Sequence, residues 1–185
     1  MKNNKNSILK LEIILIIVIL SFSSVTVIAG IEKRSIRKDY EILITKSDRS
    51  GTNFKLSTNI YSFNTVEIEG NVFDSLKIKN SGYTSEYGKA ELPVISFYVA
   101  VPQNAEVSLN YVLSDYKFFK DYIILPSQPP KPDGEGFVDP PFTINESFYK
   151  QYEYYPKSVV DVSQIMIMRG CRMVRVSVYP FVYNP

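Results

Sequence analysis

Side chains able to do covalent or metal chemistry are scarce in this chain. There is no histidine among its 185 residues. A Ser-His or Cys-His pair therefore has no base, and a His-bearing zinc site has no ligands. The single cysteine, Cys171, sits in Met168-Arg169-Gly170-Cys171-Arg172-Met173. Neighbouring arginines activate a thiol only if their side chains approach it, and free cysteine is among the residues most often buried. Cys171 is accordingly expected as an inert core thiol. One cysteine cannot close an intramolecular disulfide or hold a thiolate metal cluster. Glu67 and Glu69 fall on one face of a candidate strand, which is the minimum for a carboxylate pair but equally describes a solvated face. Gly134 and Gly136 do not open a helix after a strand, so they form no phosphate cradle. No catalytic constellation, metal site or cofactor is expected.

Charge and composition narrow the field further. The formal net charge is only +2, which leaves no electrostatic footprint for nucleic acid. At 45% hydrophobic residues the chain is too apolar for disorder, and its length suits one domain, or two at most. Binding, structural or accessory roles remain.

The N-terminus reads as a targeting segment. Lys2, Lys5 and Lys10 precede an unbroken aliphatic run over residues 13–20, and a Ser/Thr stretch leads to Val27-Ile28-Ala29. Basic region, short apolar core and compact residues before a cut after Ala29 are the order of a secretory signal. The rival is a retained anchor helix over residues 11–28, which is barely long enough to span a bilayer. In either case residues 30–185 are exported, secreted or held at the cell surface, and any membrane contact is made only through residues 1–29. An Asn145-Glu146-Ser147 sequon lies within the exported part.

The exported part is patterned as strands. Val66 and Ile68 alternate with Glu67 and Glu69, and Leu76 and Ile78 with Lys77 and Lys79. Ala105, Val107, Leu109 and Tyr111 share a face opposite Glu106, Ser108 and Asn110. These are half-buried strands. Residues 92–101 are apolar on both faces and are expected at the centre of a sheet. Residues 41–45, 116–125 and 174–183 complete the set. Turn signals stand at residues 48–51, Glu69-Gly70-Asn71, Asn80-Ser81-Gly82, Gly88 and residues 102–104. An antiparallel β-sandwich, jelly-roll-like, is the fold expected after the N-terminal signal or anchor helix, with a closed barrel as the alternative. Residues 126–141 hold six of the eleven prolines and cannot pair inside a sheet, so they form an extended, stiff surface loop.

Several short motifs, taken in order, resemble one family. Gly88-Lys89-Ala90-Glu91-Leu92-Pro93 is followed by an apolar strand that ends in Val101-Pro102. Ile124-Leu125-Pro126 opens the proline-rich stretch, Tyr155-Pro156 follows it, and Arg169-Gly170 begins a strand. The chain closes on Val178, Pro180, Tyr183, Asn184 and Pro185. This series resembles the N-terminal propeptide of gingipain-type cysteine peptidases. Ala90 stands where the family pattern has proline, which relaxes one turn. The resemblance implies a non-catalytic β-sandwich that assists folding of a cognate peptidase domain and keeps it latent by covering its active site. It also implies a C-terminally incomplete pro-domain over residues 30–185, since relatives continue into further strands and then the peptidase. A peptidase that cuts after basic residues would take a lysine or arginine into a carboxylate-bearing pocket. Lys131, Lys117 and Lys120 are the candidates for that contact. The competing reading is a stand-alone exported β-sandwich that binds surface glycans or proteins.

Overall fold

The computed structural model describes residues 6–20, 39–48, 51–134 and 138–185, with backbone alone over 14–20. The stretch from Ser21 through the Ala29 cut site lies outside the described residues. Two antiparallel sheets enclose one hydrophobic core, and a separate hairpin lies beside them.

The smaller sheet is built on β7 (Pro93–Ala100) and β11 (Cys171–Val178), which pair with Ser96 opposite Ser177. β9 (Val160–Val162) and β10 (Met166–Met168) add to the other edge of β11, and β6 (Gly82–Tyr83) adds to β7. The inner face carries Ile95, Val99, Val174, Val176 and Val178, all buried. β-branched side chains suit this packed, pleated surface. The opposite face of β7, expected to be covered, is exposed at Ser96, Tyr98 and Ala100.

The larger sheet is organised by its first strand. β1 (Ser7–Leu20) pairs along its whole length with β8 (Glu106–Lys120). On its other side it pairs first with β12 (Phe181–Asn184) and then with β3 (Gly51–Thr58), which in turn pairs β2 (Tyr40–Asp48). The segment expected as a signal or anchor helix is thus a strand here. Isoleucine and valine dominate it, and β-branching favours the extended conformation once neighbouring strands supply hydrogen bonds. Among the described residues no helix is long and apolar enough to cross a membrane.

The hairpin of β4 (Ser62–Ile68) and β5 (Asn71–Lys77) turns through Glu69 and Gly70, with φ of 51° and 77°. Two positive φ values give the turn whose twist matches the strands. Tyr61 and Phe63 at its start stack against Phe119. One helical turn, α1 (Glu146–Tyr149), is capped by the Asn145 side chain, which accepts from Phe148 N–H at 3.0 Å.

The structure departs from the sequence reading at two element boundaries and in the setting of one residue. The strand expected over residues 116–125 ends at Lys120, because Asp121 adopts a φ of 66°. The one expected over residues 174–183 divides at Tyr179-Pro180, since proline offers no donor to a ladder. Cys171, expected in the core, is exposed at the start of β11. The Arg172 guanidinium turns away from it to the Pro102 carbonyl, at 2.6 Å.

Candidate functional site

The motif residues converge on a hydrogen-bonded knot at one end of the sandwich. Gly88 has a φ of 79°, and a Cβ placed there would lie 2.8 Å from the Asn145 backbone nitrogen. Its N–H donates to the Ser127 carbonyl at 2.8 Å, and its carbonyl accepts from Asn145 N–H at 2.9 Å. The turn that follows pairs with the start of the proline-rich stretch: Ala90 bridges Pro126, and Glu91 N–H donates to the Leu125 carbonyl at 2.8 Å. The buried Thr84 hydroxyl donates to the Ala90 carbonyl at 2.8 Å and accepts from Leu92 N–H at 3.0 Å. Leu92 is fully buried, and Pro93 opens β7 opposite Tyr83.

Tyrosines close the other side of the knot. Tyr155 and Tyr183 exchange backbone hydrogen bonds at 2.8 and 2.7 Å, and Pro156 follows the first of them. Tyr149 donates its hydroxyl to the Ile124 carbonyl at 2.6 Å. Burial pushes the Tyr183 phenol up to about 12, and raises Tyr149 and Tyr155 further still. Pro180 accepts from Leu11 N–H at 2.7 Å, Asn184 lies opposite Ser7, and Pro185 is buried beside them. Two motif elements lie elsewhere. Arg169 and Gly170 form the exposed turn between β10 and β11, and Pro102 caps the far end of β7.

The proline-rich stretch leaves the knot as a closed loop. Gln128 ties its base, donating to the Thr143 carbonyl and accepting from Thr143 N–H, both at 2.8 Å. Beyond that tie Lys131 is ion-paired with Asp139 across the loop.

The three candidate lysines occupy different settings. Lys117 and Lys120 are on β8, opposite Lys10 and Ser7 of β1. Directly paired residues share a face of the sheet, and alternate residues of one strand do too. Lys120 therefore shares the face of Leu9, Leu11 and Ile13 with Phe118, Tyr116, Leu113 and Tyr111. Both faces of β1 carry core residues, Leu11 and Ile13 on this one and Ile8 on the other, where its β8 partner Phe119 also packs against the core. On the Lys120 face of β8, Val107 and Leu109 pack on the core. Tyr111, Leu113, Tyr116 and Phe118 are left exposed by 42, 42, 60 and 54%. Lys117 points to the opposite face, towards Lys10.

A polar groove of about 590 Å³ runs over the outer face of the smaller sheet, between Ser96, Arg175, Asp161, Tyr155 and Glu86. Neither this groove nor the uncovered row on β8 was found from the sequence. Both depend on which strands are neighbours, and single-strand alternation carries only a faint sign of that. Among the described residues no cluster of three or more His, Cys, Asp or Glu side chains is placed to hold a metal ion.

Known proteins supply the context for this geometry. The Propeptide_C25 family model matches residues 33–185. A structure of the complex of Porphyromonas gingivalis RgpB pro- and mature domains is similar with a TM-score of 0.62 and 18% identity, over 77% of this chain and 78% of that one. A structure concerned with the zymogenic latency of gingipain K from Porphyromonas gingivalis is similar with a TM-score of 0.56 and 20% identity, over 83% of this chain and 90% of the other. No curated protein matches. The fold is shared with gingipain pro-domains, and the family match spans most of the chain. The chain therefore belongs to the Propeptide_C25 family, the non-catalytic pro-domains of gingipain-type peptidases.

Proposed function

We propose that this pro-domain keeps a cognate gingipain-type peptidase latent by covering its active site and assists its folding, and that it is exported behind residues 1–29 to the cell surface or beyond. One observation carries the reading: one face of β8 exposes Tyr111, Leu113, Tyr116 and Phe118 in a row that continues from Val107 and Leu109, which pack on the core. A contiguous row of large apolar side chains on an edge strand needs a partner. The similar RgpB structure is itself a complex of pro- and mature domains, which supports the peptidase as that partner.

Lys120 ends this row and shares its face, so it is the basic residue best placed to enter a carboxylate-bearing pocket. Lys131 must first give up Asp139, and Lys117 faces the other way. The motif residues at the knot are assigned a structural role, which holds the loop and β8 in position. The test is inhibition of a gingipain-type peptidase by the full chain and by Lys120→Ala, Lys117→Ala and Lys131→Ala. Lys120→Ala should weaken inhibition at least about tenfold, in keeping with loss of a desolvated charge pair, while its circular dichroism stays unchanged. Full inhibition by Lys120→Ala would remove that residue from the mechanism. No inhibition by the parent chain would remove the latency reading altogether.

A further inference from the structure

The larger sheet is joined by a single strand. Among the described strands β8 pairs with β1 alone, and β12 and the β2–β3 hairpin enter the sheet only through β1. That strand is also the apolar run of the export segment. Signal cleavage after Ala29 would withdraw the middle of the sheet. A gap one strand wide would remain, bordered by β8 on one side and by β12 and β3 on the other. Rows of backbone N–H and C=O groups left without partners inside a fold are costly, and they form a template for another strand.

The gap is selective. Ile8, Leu11 and Ile13 fill it with 0, 1 and 0% exposure, so aliphatic side chains suit both of its faces. Lys10 does not suit it. This lysine is only 6% exposed, its ammonium lies 3.9 Å from the Glu12 carboxylate and 5.2 Å above the Tyr61 ring, and burial lowers its pKa. A cation held by one long ion pair in such a place is a liability, because desolvation outweighs the attraction. The leader strand fits the gap well at three positions and poorly at one.

We propose that the β1 position is a strand-exchange site, filled by residues 7–20 before processing and afterwards by an extended aliphatic strand of the cognate peptidase polypeptide, antiparallel to β8. The proposal rests on the pro-domain reading and on signal cleavage. A second copy is the weaker donor, since after processing it has lost its own leader and its remaining apolar strands, β7 and β11, are committed to the core. The peptidase is already the partner called for by the exposed apolar row on β8, and that row borders the gap. Main-chain pairing would then supply affinity and the aliphatic pockets selectivity, as in other strand-addition complexes. Completing the pro-domain sheet and binding the peptidase become one event.

The test uses the full chain with a site for a sequence-specific protease inserted after Ala29, folded first and cut afterwards. Hydrogen exchange at β8 amides is followed by mass spectrometry. The probes are synthetic peptides of residues 7–20 carrying a solubilising tail, as wild type, Lys10→Leu and scrambled. The Lys10→Leu peptide should displace the resident strand, keep β8 protected and bind about tenfold more tightly than the wild-type peptide, because no charge is buried. The scrambled peptide should do nothing. An inactivated peptidase domain should release the cut leader strand as it binds. A leader strand that stays in place through peptide competition and through formation of the latent complex would overturn exchange and leave the latency reading standing. Peptide exchange without any peptidase binding would overturn the peptidase as donor, together with that reading. Protection of β8 amides with the site empty would overturn the need for any occupant.

Discussion

At the scale of single residues, two glycines separate the cost of conformation from the cost of space. Gly88 and Gly170 both have positive φ, 79° and 80°, yet a Cβ at Gly88 would meet the Asn145 backbone at 2.8 Å while at Gly170 it would meet nothing within 4 Å. Gly170→Ala should therefore cost about 1 kcal/mol, the left-handed penalty alone. Gly88→Ala should cost roughly 2–4 kcal/mol, because the clash is with main chain that is itself hydrogen-bonded. Urea denaturation of the two variants checks the difference, and equal losses would refute it. Glu91 carries the pH prediction. Burial raises its pKa and the Lys77 ammonium only partly offsets this, so the fold favours the protonated acid. Its contribution is complete below the ordinary carboxylate value of the unfolded chain and is lost as pH rises through the raised folded value. Glu91→Gln should match the parent's melting temperature near pH 4 and exceed it at pH 7. A variant less stable at both would show that the carboxylate has an unrecognised stabilising partner.

At the scale of elements, the contrast lies between a strand buried on its inner face and one that overhangs. Val176 of β11 is fully buried in the core, whereas Val112 of β8 is 57% exposed. Val176→Ala should cost roughly 2–3 kcal/mol through lost burial and a residual cavity, and Val112→Ala should stay within about 0.5 kcal/mol. Thermal melts of the pair decide this. Alternation made β4, β5 and the first half of β8 legible in the sequence, because Glu67, Lys77 and Glu106 sit on wet faces beside buried or half-buried apolar neighbours. β3 was missed because only Phe54 and Leu56 mark its alternation with large apolar side chains, and its partners lie in distant segments. β9 and β10 are three residues each, too short for any period to register. The leader run was read as a helix because length and hydropathy are scored within a segment. Strand pairing instead is settled by β8, about a hundred residues away. Gly88 and Pro102 were legible as turns, whereas Gly170 was read as a strand start and Pro180 as part of a strand. That most of the motif residues meet in one knot was not legible, because the meeting is made by backbone bonds from Ser127, Asn145 and Tyr183.

For the whole molecule, the decisive feature is that the first and last described strands, β1 and β12, are sewn together. Ser7 lies opposite Asn184, and one core cluster runs from Ile8 through both sheets to Tyr183, with Phe54 of one sheet 5.2 Å from Phe97 of the other. Neither sheet can open without exposing the core of the other, so unfolding should be a single cooperative transition. The tyrosines provide both the probe and the lever, since there is no tryptophan to mask them. Tyr149, Tyr155 and Tyr183 have phenols whose pKa is raised by burial, to about 12 for Tyr183. The fold thus favours the neutral phenol. Below about pH 10, the unfolded value, that preference has no effect on stability, and above it the unfolded chain gains from ionising while the folded one does not. Stability should fall progressively from about pH 10 towards 12. Tyrosinate absorbance should then rise in two stages, exposed phenols first and the buried group only together with loss of β-sheet circular dichroism. Three coupled phenols give the second stage a steeper pH dependence than one group would. Tyr183→Phe removes one of the three ionisations, so it should make that stage shallower and leave the first unchanged. If the buried phenols ionise while the sheet signal persists, the knot opens independently of the sandwich, and the molecule is not one cooperative unit.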